Sequence, residues 1–240
     1  MLEHVTIPLF SPLWWLGFWI MAIIVTAIII YASSLSAPAE GKFRRVLAYI
    51  FLGREILHQG YMYATDTWVV EASLPLHLCG ISSIVSIILL FSPKQKLFEF
   101  LALLGLAGAI HSFLTPELTH GSSVYHYVDY YLSHGGIIMT AFYMRFVIGM
   151  KPELNSWWNV FLWGNGVLII VGTLNYLIAA NYIYLCTPPI ASNPLILGPW
   201  PYYLIGFEVA GIIHIYLLYK VFRKSFPGLQ LIRSNTGDVK

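Results

Sequence analysis

Residues 73 to 91 read SLPLHLCGISSIVSIILLF, a stretch without a single Asp, Glu, Lys or Arg. An apolar stretch of about 18 residues or more with few charges is long enough to cross the hydrocarbon core of a membrane. This one nevertheless contains His77 and Cys79, two residues apart and close to its beginning. Reactive side chains inside a membrane need an explanation, which depends on how the rest of the chain is arranged in that membrane.

The composition of the whole chain is that of a membrane protein. Of its 240 residues, 58% are hydrophobic and 10% are charged, whereas a soluble domain carries about 25% charged residues. Two cysteines, Cys79 and Cys186, are too few for a disulfide scaffold or a structural zinc site. P-loop, GxGxxG and HExxH motifs and long basic runs are missing. We therefore expect no cofactor and no nucleic-acid partner, and we interpret the first apolar stretch as a helix rather than a signal peptide.

Seven stretches have the length and apolar character of membrane spans, which predicts an all-α, polytopic protein with one transmembrane domain over residues 1–240. The second stretch is the least regular, because Arg54 and Glu55 lie in its middle. The predicted spans are Leu13–Ser33, Val46–Tyr63, Ser73–Phe91, Leu97–Thr115, Asp129–Gly149, Trp157–Ala180 and Trp200–Phe222.

The basic residues predict the orientation of these spans. Apart from Arg54, every Lys and Arg lies at or after the ends of spans one, three, five and seven: Lys42, Arg44, Arg45, Lys94, Lys96, Arg145, Lys151, Lys220, Arg223, Lys224, Arg233 and Lys240. Because basic residues stay on the cytoplasmic side, we expect a seven-transmembrane-helix bundle with its N-terminus outside and its C-terminus cytoplasmic. The longest outer loop, residues 181–199, is rich in proline and is expected to form a structured cap.

Helical rise places three reactive side chains in one layer of the predicted bundle. At 1.5 Å per residue, Cys79 lies about 9 Å, His134 about 8 Å and His111 about 6 Å below the outer ends of their spans. The ester bonds of outer-leaflet phospholipids lie at a similar depth. The sequence therefore predicts a site that meets lipid esters.

A thiol next to an oriented imidazole is the minimal set for acyl transfer. Cys79 and His134 fit these two roles, and Asp129 or Tyr130 is expected to orient the imidazole. His77 points away from the Cys79 face and is expected to serve packing or lipid headgroups. Polar groups on the outer side are candidates for stabilising an oxyanion: Thr115, Tyr130 and Asn175.

Other interpretations of these residues stay open from spacing alone. Cys79 is also compatible with a small buried hydrophobe that serves packing, or with a disulfide to Cys186. The stripe that Cys79 forms with Ser82, Ser83 and Ser86 is also typical of helices that approach each other closely.

Three charged residues fall near the middle of the predicted membrane: Arg54, Glu55 and Glu208. Unpaired charges at this depth are costly, so we expect Arg54 to pair with Glu208 or Glu55 and to hold span two against span seven. The same residues would line the path of a transporter or channel, an alternative that the strongly apolar inner half disfavours.

Two further classes of function are weaker alternatives. The run PELTHGSSVYHYVDYYLSHGG contains His120, His126, Asp129 and His134, which permits a metal-dependent membrane hydrolase. Its spacing matches no zinc signature, so we predict no metal ligands. A receptor of the retinal-binding kind needs a lysine in the middle of span seven, and this chain has none there. A lipid-binding protein without catalysis stays open.

Four motifs in a fixed order resemble a known family. LPLHLCGIS opens the third span, HSFLTPELTHG ends the fourth, YYLSHGG opens the fifth and GTLNYLIAANYIYLCTPP ends the sixth. Together they resemble the YwaF-like integral membrane proteins, seven-span bacterial proteins of about this length that are grouped with vertebrate transmembrane protein 164.

The resemblance implies a reaction for the predicted layer. The vertebrate relative is a cysteine-dependent acyltransferase that moves a fatty acyl chain between phospholipids, and its cysteine and histidine correspond to Cys79 and His134. Phospholipids and lysophospholipids are then the expected partners, and the bacterial cytoplasmic membrane is the expected location. The resulting hypothesis is an acyltransferase or acyl hydrolase at the outer leaflet.

Overall fold

The computed structural model describes residues 4–190 and 198–224, and this part of the chain is mostly helical. Arg233, Lys240 and residues 191–197 of the proline-rich loop lie outside the described residues. Two short strands, β1 (Val5–Thr6) and β2 (Glu117–Leu118), pair antiparallel. The long helices are α1 (Pro12–Ser33), α2 (Ala37–Ala64), α3 (Leu78–Phe91), α4 (Gln95–Leu114), α5 (Val124–Phe142), α6 (Ser156–Ile178) and α7 (Tyr202–Arg223).

Four of these helices, α1, α4, α6 and α7, are long and apolar enough to cross a membrane. Helix α3 is equally apolar but has only 14 residues. Helices α2 and α5 carry more polar side chains, among them Arg54, Glu55 and Asp129. The structure is thus that of a mostly helical membrane protein.

The predicted spans overlap these helices, but several ends differ for local reasons. Helix α2 begins earlier than predicted, because Ser36 in an extended conformation and Pro38 in the first turn form a favourable helix start. Helix α3 begins at Leu78 rather than Ser73. Pro75 explains the delay, since it lacks an amide hydrogen and disfavours helical geometry in the residue before it.

Helix α4 lies inside the fold and the other long apolar helices surround it. Of the 18 residues in its most apolar stretch, 61% are buried, whereas the corresponding share is 17% for α1, 11% for α6 and 17% for α7. Helix α5 packs against α1, α3 and α4. The outer helices therefore present large exposed apolar side chains to their surroundings, as a lipid solvent requires.

Helices α3 and α4 approach each other closely at a π-helical stretch of α4, Leu101–Gly105. A Cβ atom on Gly105 would lie 2.6 Å from the Oγ of Ser82. The neighbouring Ser86 is also buried and donates a hydrogen bond to the carbonyl of Ser82 (2.8 Å). Ser82 and Ser86 thus serve the packing of the two helices, which agrees with the packing interpretation of the serine stripe.

The segments that follow α2, α4 and α6 meet at one end of the fold, where Ser73 contacts His120 (3.3 Å) and the N–H of Leu74 donates to the Tyr182 hydroxyl (2.9 Å), and together they form a cover. The short sheet places Val5 opposite Leu118, and His4 Nδ1 lies 2.8 Å from a carboxylate oxygen of Glu117. The indole of Trp14 donates to the carbonyl of Phe113 (2.6 Å). These contacts attach the N-terminal segment to the end of α4.

Candidate active site

A cavity of about 760 Å³ lies beneath this cover. Helices α2 to α7 all contribute to its wall, and its polar side chains come mainly from α2 to α5. The wall formed by α6 and α7 is largely apolar: Phe161, Leu168, Ile169, Leu204, Phe207 and Ile215. Ile169 is 72% exposed although it lines the cavity, so the cavity is open on the α6 face.

Cys79 lies in the first turn of α3 and lines this cavity. The chain can turn into α3 here because residue 80 is glycine: a Cβ at Gly80 would lie 2.9 Å from the backbone of Pro75. The Sγ atom is 3.5 Å from the Oγ of Ser112 on α4. Ser112 itself donates to the carbonyl of Gly108 (3.0 Å), so the thiol is the donor towards Ser112.

His134 on α5 lines the same cavity, and its tautomer follows from its hydrogen bond. Its Nδ1 is 2.7 Å from the carbonyl oxygen of Tyr130, and an oxygen acceptor requires the proton on Nδ1. The Nε2 of His134 is therefore the ring's acceptor nitrogen, as a general base needs. The predicted orienting role of Tyr130 is thus carried by its backbone, and its ring lies 4.2 Å from that of His134.

Cys79 and His134 make no direct hydrogen bond with each other in the described part of the chain. Two residues connect them instead. The Tyr130 hydroxyl donates to the carbonyl of Ser112 (2.8 Å), and Ser112 contacts the thiol. The path from Cys79 to His134 therefore runs through Ser112 on α4 and Tyr130 on α5.

A second pair of histidines lines the cavity from α4 and α7. The Nε2 atoms of His111 and His214 are 3.2 Å apart. His111 was predicted to lie in the layer of Cys79, but its contact with His214 was not expected. The contact means that His214 lies at the same depth as His111.

The charged residues form a group that only partly matches the predicted one. Arg54 contacts Glu55 (2.6 Å), which confirms one of its two predicted partners. Its guanidinium also lies 3.4 Å from Asp129, and His58 contacts the other oxygen of Asp129 (3.0 Å). Arg54 therefore holds α2 against α5, whereas the predicted attachment to span seven is wrong. Glu208 instead accepts a hydrogen bond from Asn165 on α6 (3.3 Å).

This arrangement also corrects the expectation for Asp129. Asp129 was one of two residues expected to orient His134, but its carboxylate is engaged by His58 and Arg54. Ser83 approaches the same group through Glu55 (3.5 Å). The result is a polar cluster at one side of the cavity.

His77 and Asn175 support the cover rather than the reaction centre. The Nδ1 of His77 accepts the N–H of Ile183 (3.2 Å), and the ring packs near those of Tyr182 and Tyr184. Packing was one of the two roles predicted for His77. Asn175 is buried and uses both ends of its amide on the backbone of Tyr182, each at 2.9 Å, and it does not line the cavity. The expectation that Asn175 stabilises an oxyanion is therefore wrong.

Both cysteines are free, and Cys186 is exposed. The alternative of a Cys79–Cys186 disulfide is therefore wrong. Cys186 instead belongs to the turn that follows α6, where its N–H donates to the Oδ1 of Asn181 (2.9 Å).

Among the described residues, no three His, Cys, Asp or Glu side chains are grouped as ligands of one metal ion. His120, in the segment between α4 and α5, shows why. Its ring nitrogens contact Ser73 (3.3 Å) and Thr119 (2.9 Å). Burial, and then the neighbouring His58 and His126, lower the pKa of His120 to about 4. His120 is a neutral hydrogen-bonding residue of the cover at pH 7.

One pattern in the sequence would have revealed part of the missed site. Gly108, His111, Ser112 and Thr115 follow the i, i+3, i+4, i+7 spacing of one helical face, and all four line the cavity. Ser112 was missed because a serine in an apolar helix is so often a packing residue.

Comparison with known proteins places the chain in a family. The model of the TMEM164 family matches residues 6–219. The chain belongs to the TMEM164 family. No curated protein and no solved structure matches it. The matched range contains the whole cavity wall, from Arg54 to Ile215.

Proposed function

We propose that this protein is a membrane-embedded acyltransferase or acyl hydrolase that acts on phospholipid or lysophospholipid esters through Cys79 and His134. The observation that carries the proposal is that Cys79 and His134 line one cavity, with contacts through Ser112 and Tyr130 fixing their helices and leaving the Nε2 of His134 as the acceptor nitrogen. Membership of the TMEM164 family and the resemblance of its motifs to a cysteine-dependent acyltransferase support the same reaction.

The proposal includes seven membrane crossings with the N-terminus outside and the C-terminus cytoplasmic. The distribution of Lys and Arg supports this orientation. Helices α2 and α5 can cross despite their charges, because Arg54, Glu55 and Asp129 contact one another and line the cavity rather than facing lipid. In this orientation the cavity opens in the outer half of the membrane.

In the first step the sulfur of Cys79 attacks the ester carbonyl carbon, and the thiol proton passes to the Nε2 of His134. Loss of the lysolipid then breaks the carbon–oxygen bond, and the leaving alkoxide takes the proton from His134. An acyl group remains on Cys79 as a thioester. In the second step a lysolipid hydroxyl or water attacks the thioester, which releases the thiol and the new ester or the fatty acid.

The start of α3 favours this chemistry. His77 provides no side-chain cap, and the backbone N–H groups of Cys79 and Gly80 carry no hydrogen bond within the described residues. The N–H groups of a first helical turn have no partner inside the helix, and the positive end of the helix dipole stabilises negative charge. These two amides are therefore placed to stabilise a thiolate and the oxyanion that follows from it.

The cavity also has the character that a lipid ester requires. One side carries the cluster of Arg54, His58 and Asp129, and the other side is formed by the apolar wall of α6 and α7. The opening beside Ile169 gives an acyl chain a way in from the membrane. On α3 the cavity wall extends as far as Ser83, and on α5 as far as His134, so it does not reach the last residues of either helix. The cavity therefore gives no support to the alternative of a transporter or channel.

The test uses the purified chain in lipid nanodiscs with phosphatidylcholine carrying a labelled acyl group. The expected result is an acyl adduct on Cys79, detected by intact-protein and peptide mass spectrometry, that disappears when lysophospholipid is added. Cys79→Ala abolishes the adduct and the transfer. His134→Asn keeps a donor for the Tyr130 carbonyl but removes the base, so the rate of adduct formation falls about 10²–10⁴-fold. Cys186→Ala is the matched control, because Cys186 is exposed and outside the cavity. Full transfer by Cys79→Ala would overturn the role of Cys79 as nucleophile, whereas absence of both adduct and transfer in the wild type would leave only a lipid-binding role for the cavity.

A further inference from the structure

The contact between His111 and His214 determines the proton position on both rings. The Nδ1 of His214 lies 2.6 Å from the carbonyl of Ala210 and therefore carries a proton. The Nε2 of neutral His214 is then an acceptor, so the Nε2 of His111, 3.2 Å away, must donate to it. The Nδ1 of His111 is left as an acceptor, and it has no hydrogen-bond partner within the described residues.

This pair lines the same cavity as Cys79 and comes from different helices than His134 does. The Sγ of Cys79 is 3.5 Å from Ser112 Oγ and would be 3.6 Å from a Cβ on Gly108. His111 belongs to the same turn of α4 as these two residues, and it lines the cavity together with them. His134 comes from α5 instead. The thiol thus shares one cavity with two separate imidazole systems.

The pair is also built to pass a proton on. Two neutral imidazoles joined by an N–H···N bond can take up one proton at the free Nδ1 of His111 and share the positive charge through the contact with His214. The carbonyl of Ala210 holds the far end of the pair. The ion pairs described above do not include either ring, so the pair is not committed to a carboxylate.

We propose that His111 and His214 form a second proton-transfer pair, which accepts the hydroxyl proton of the acceptor molecule when the acyl group leaves Cys79. The inference rests on the proposed function and extends it to the second half of the reaction. The acceptor oxygen forms a bond to the thioester carbon while its proton moves to the Nδ1 of His111. The carbon–sulfur bond then breaks, and the proton returns from the histidine pair to the thiolate of Cys79, which restores the starting state.

The test separates the two half-reactions in the full-length protein in nanodiscs. Acyl-Cys79 is first formed from labelled phosphatidylcholine, and its decay is then followed after addition of lysophosphatidylcholine. His111→Gln keeps an N–H donor at the Nε2 position, and His214→Gln keeps an acceptor there, so both variants retain the contact but cannot hold the proton. Tyr216→Phe, an exposed position on α7, is the control. Thermal unfolding of each variant checks that it is folded.

The expected result is adduct formation at close to the wild-type rate and decay slowed about 10²-fold or more in both Gln variants. His111→Ala should recover part of the decay rate when imidazole is added, which a purely structural role would not produce. Wild-type decay rates in both Gln variants would overturn the proton-transfer role and leave the pair as a contact between helices. Absence of acyl-Cys79 in the wild type would overturn the proposed function itself, a result distinct from normal acylation with normal decay.

Discussion

The phenol of Tyr130 donates a hydrogen bond to the backbone carbonyl of Ser112, 2.8 Å away. This bond joins α5 to α4 at the residue whose side chain contacts the Cys79 thiol. The backbone of Tyr130 holds the His134 imidazole. One residue thus fixes the relative position of the two helices that carry the proposed base and the partner of the proposed nucleophile.

Tyr130→Phe should therefore impair acylation more than it impairs folding. Removing one net hydrogen bond costs about 1 kcal/mol, which for a protein of this size lowers Tm by roughly 2–4 °C. The rate of acyl-Cys79 formation should fall more than this small loss of stability would explain, because α4 and α5 are no longer held in a fixed position beside Cys79. Thermal unfolding and the rate of acyl-Cys79 formation measure the two effects. An unchanged acylation rate would show that the bond is only structural.

Arg54 should be energetically coupled to Asp129 but not to Glu208. Breaking a buried ion pair leaves an uncompensated charge and costs about 3–5 kcal/mol, so Arg54→Leu and Asp129→Asn should each reduce the yield and Tm of folded protein. Combined, their effects should be less than additive. Arg54→Leu with Glu208→Gln should be additive, because Glu208 contacts Asn165. Non-additivity with Glu208 would restore the pairing that the sequence suggested.

Asn175→Ala should loosen the cover. Both ends of this buried amide bond the backbone of Tyr182, and the change leaves a buried N–H and carbonyl without partners, at a cost of about 1–3 kcal/mol. Asn181→Ala is the control, since its bonds to Thr187 are exposed and water can replace them. Unfolding curves that fall equally for both variants would contradict the prediction.

Accessibility labelling tests the proposed orientation. In a background of Cys79→Ala and Cys186→Ala, single cysteines replace Glu71, after α2, and Lys94, before α4, both of which are exposed. An impermeant maleimide added to intact cells should label position 71, whereas position 94 should need permeabilised cells. The reverse pattern would invert the protein in the membrane and place the cavity in the inner half.

Much of the helical framework could be predicted because apolar length is visible in one dimension. The Arg54–Glu55 contact was predictable for a related reason: a charge within an apolar helix needs a near neighbour. The contacts that lead from Cys79 through Ser112 and Tyr130 to His134 were harder to predict from the sequence. The depth arithmetic selected Cys79, His111 and His134, which all line the cavity, but rise along a helix gives height and not direction around the bundle.

The errors have the same origin. His58 and Asp129 meet across α2 and α5, and His111 and His214 meet across α4 and α7, so neither contact leaves a local spacing to detect. Asn175 was expected among the oxyanion donors, but its amide bonds the backbone of Tyr182 in a turn seven residues further along the chain. The predicted and observed contacts differ in the direction in which each side chain points around its helix axis. That direction depends on how the helices pack.

The opening beside Ile169 changes how the concentration of a substrate should be counted. Ile169 and its neighbour Ile170 are 72% and 62% exposed on a largely apolar helix face, so the entrance lies among acyl chains rather than in water. In the proposed function, a lipid substrate arrives there by lateral diffusion in two dimensions. The reaction should therefore respond to the mole fraction of substrate within the bilayer, and dilution with inert lipid should slow it even when the bulk concentration of substrate is held constant.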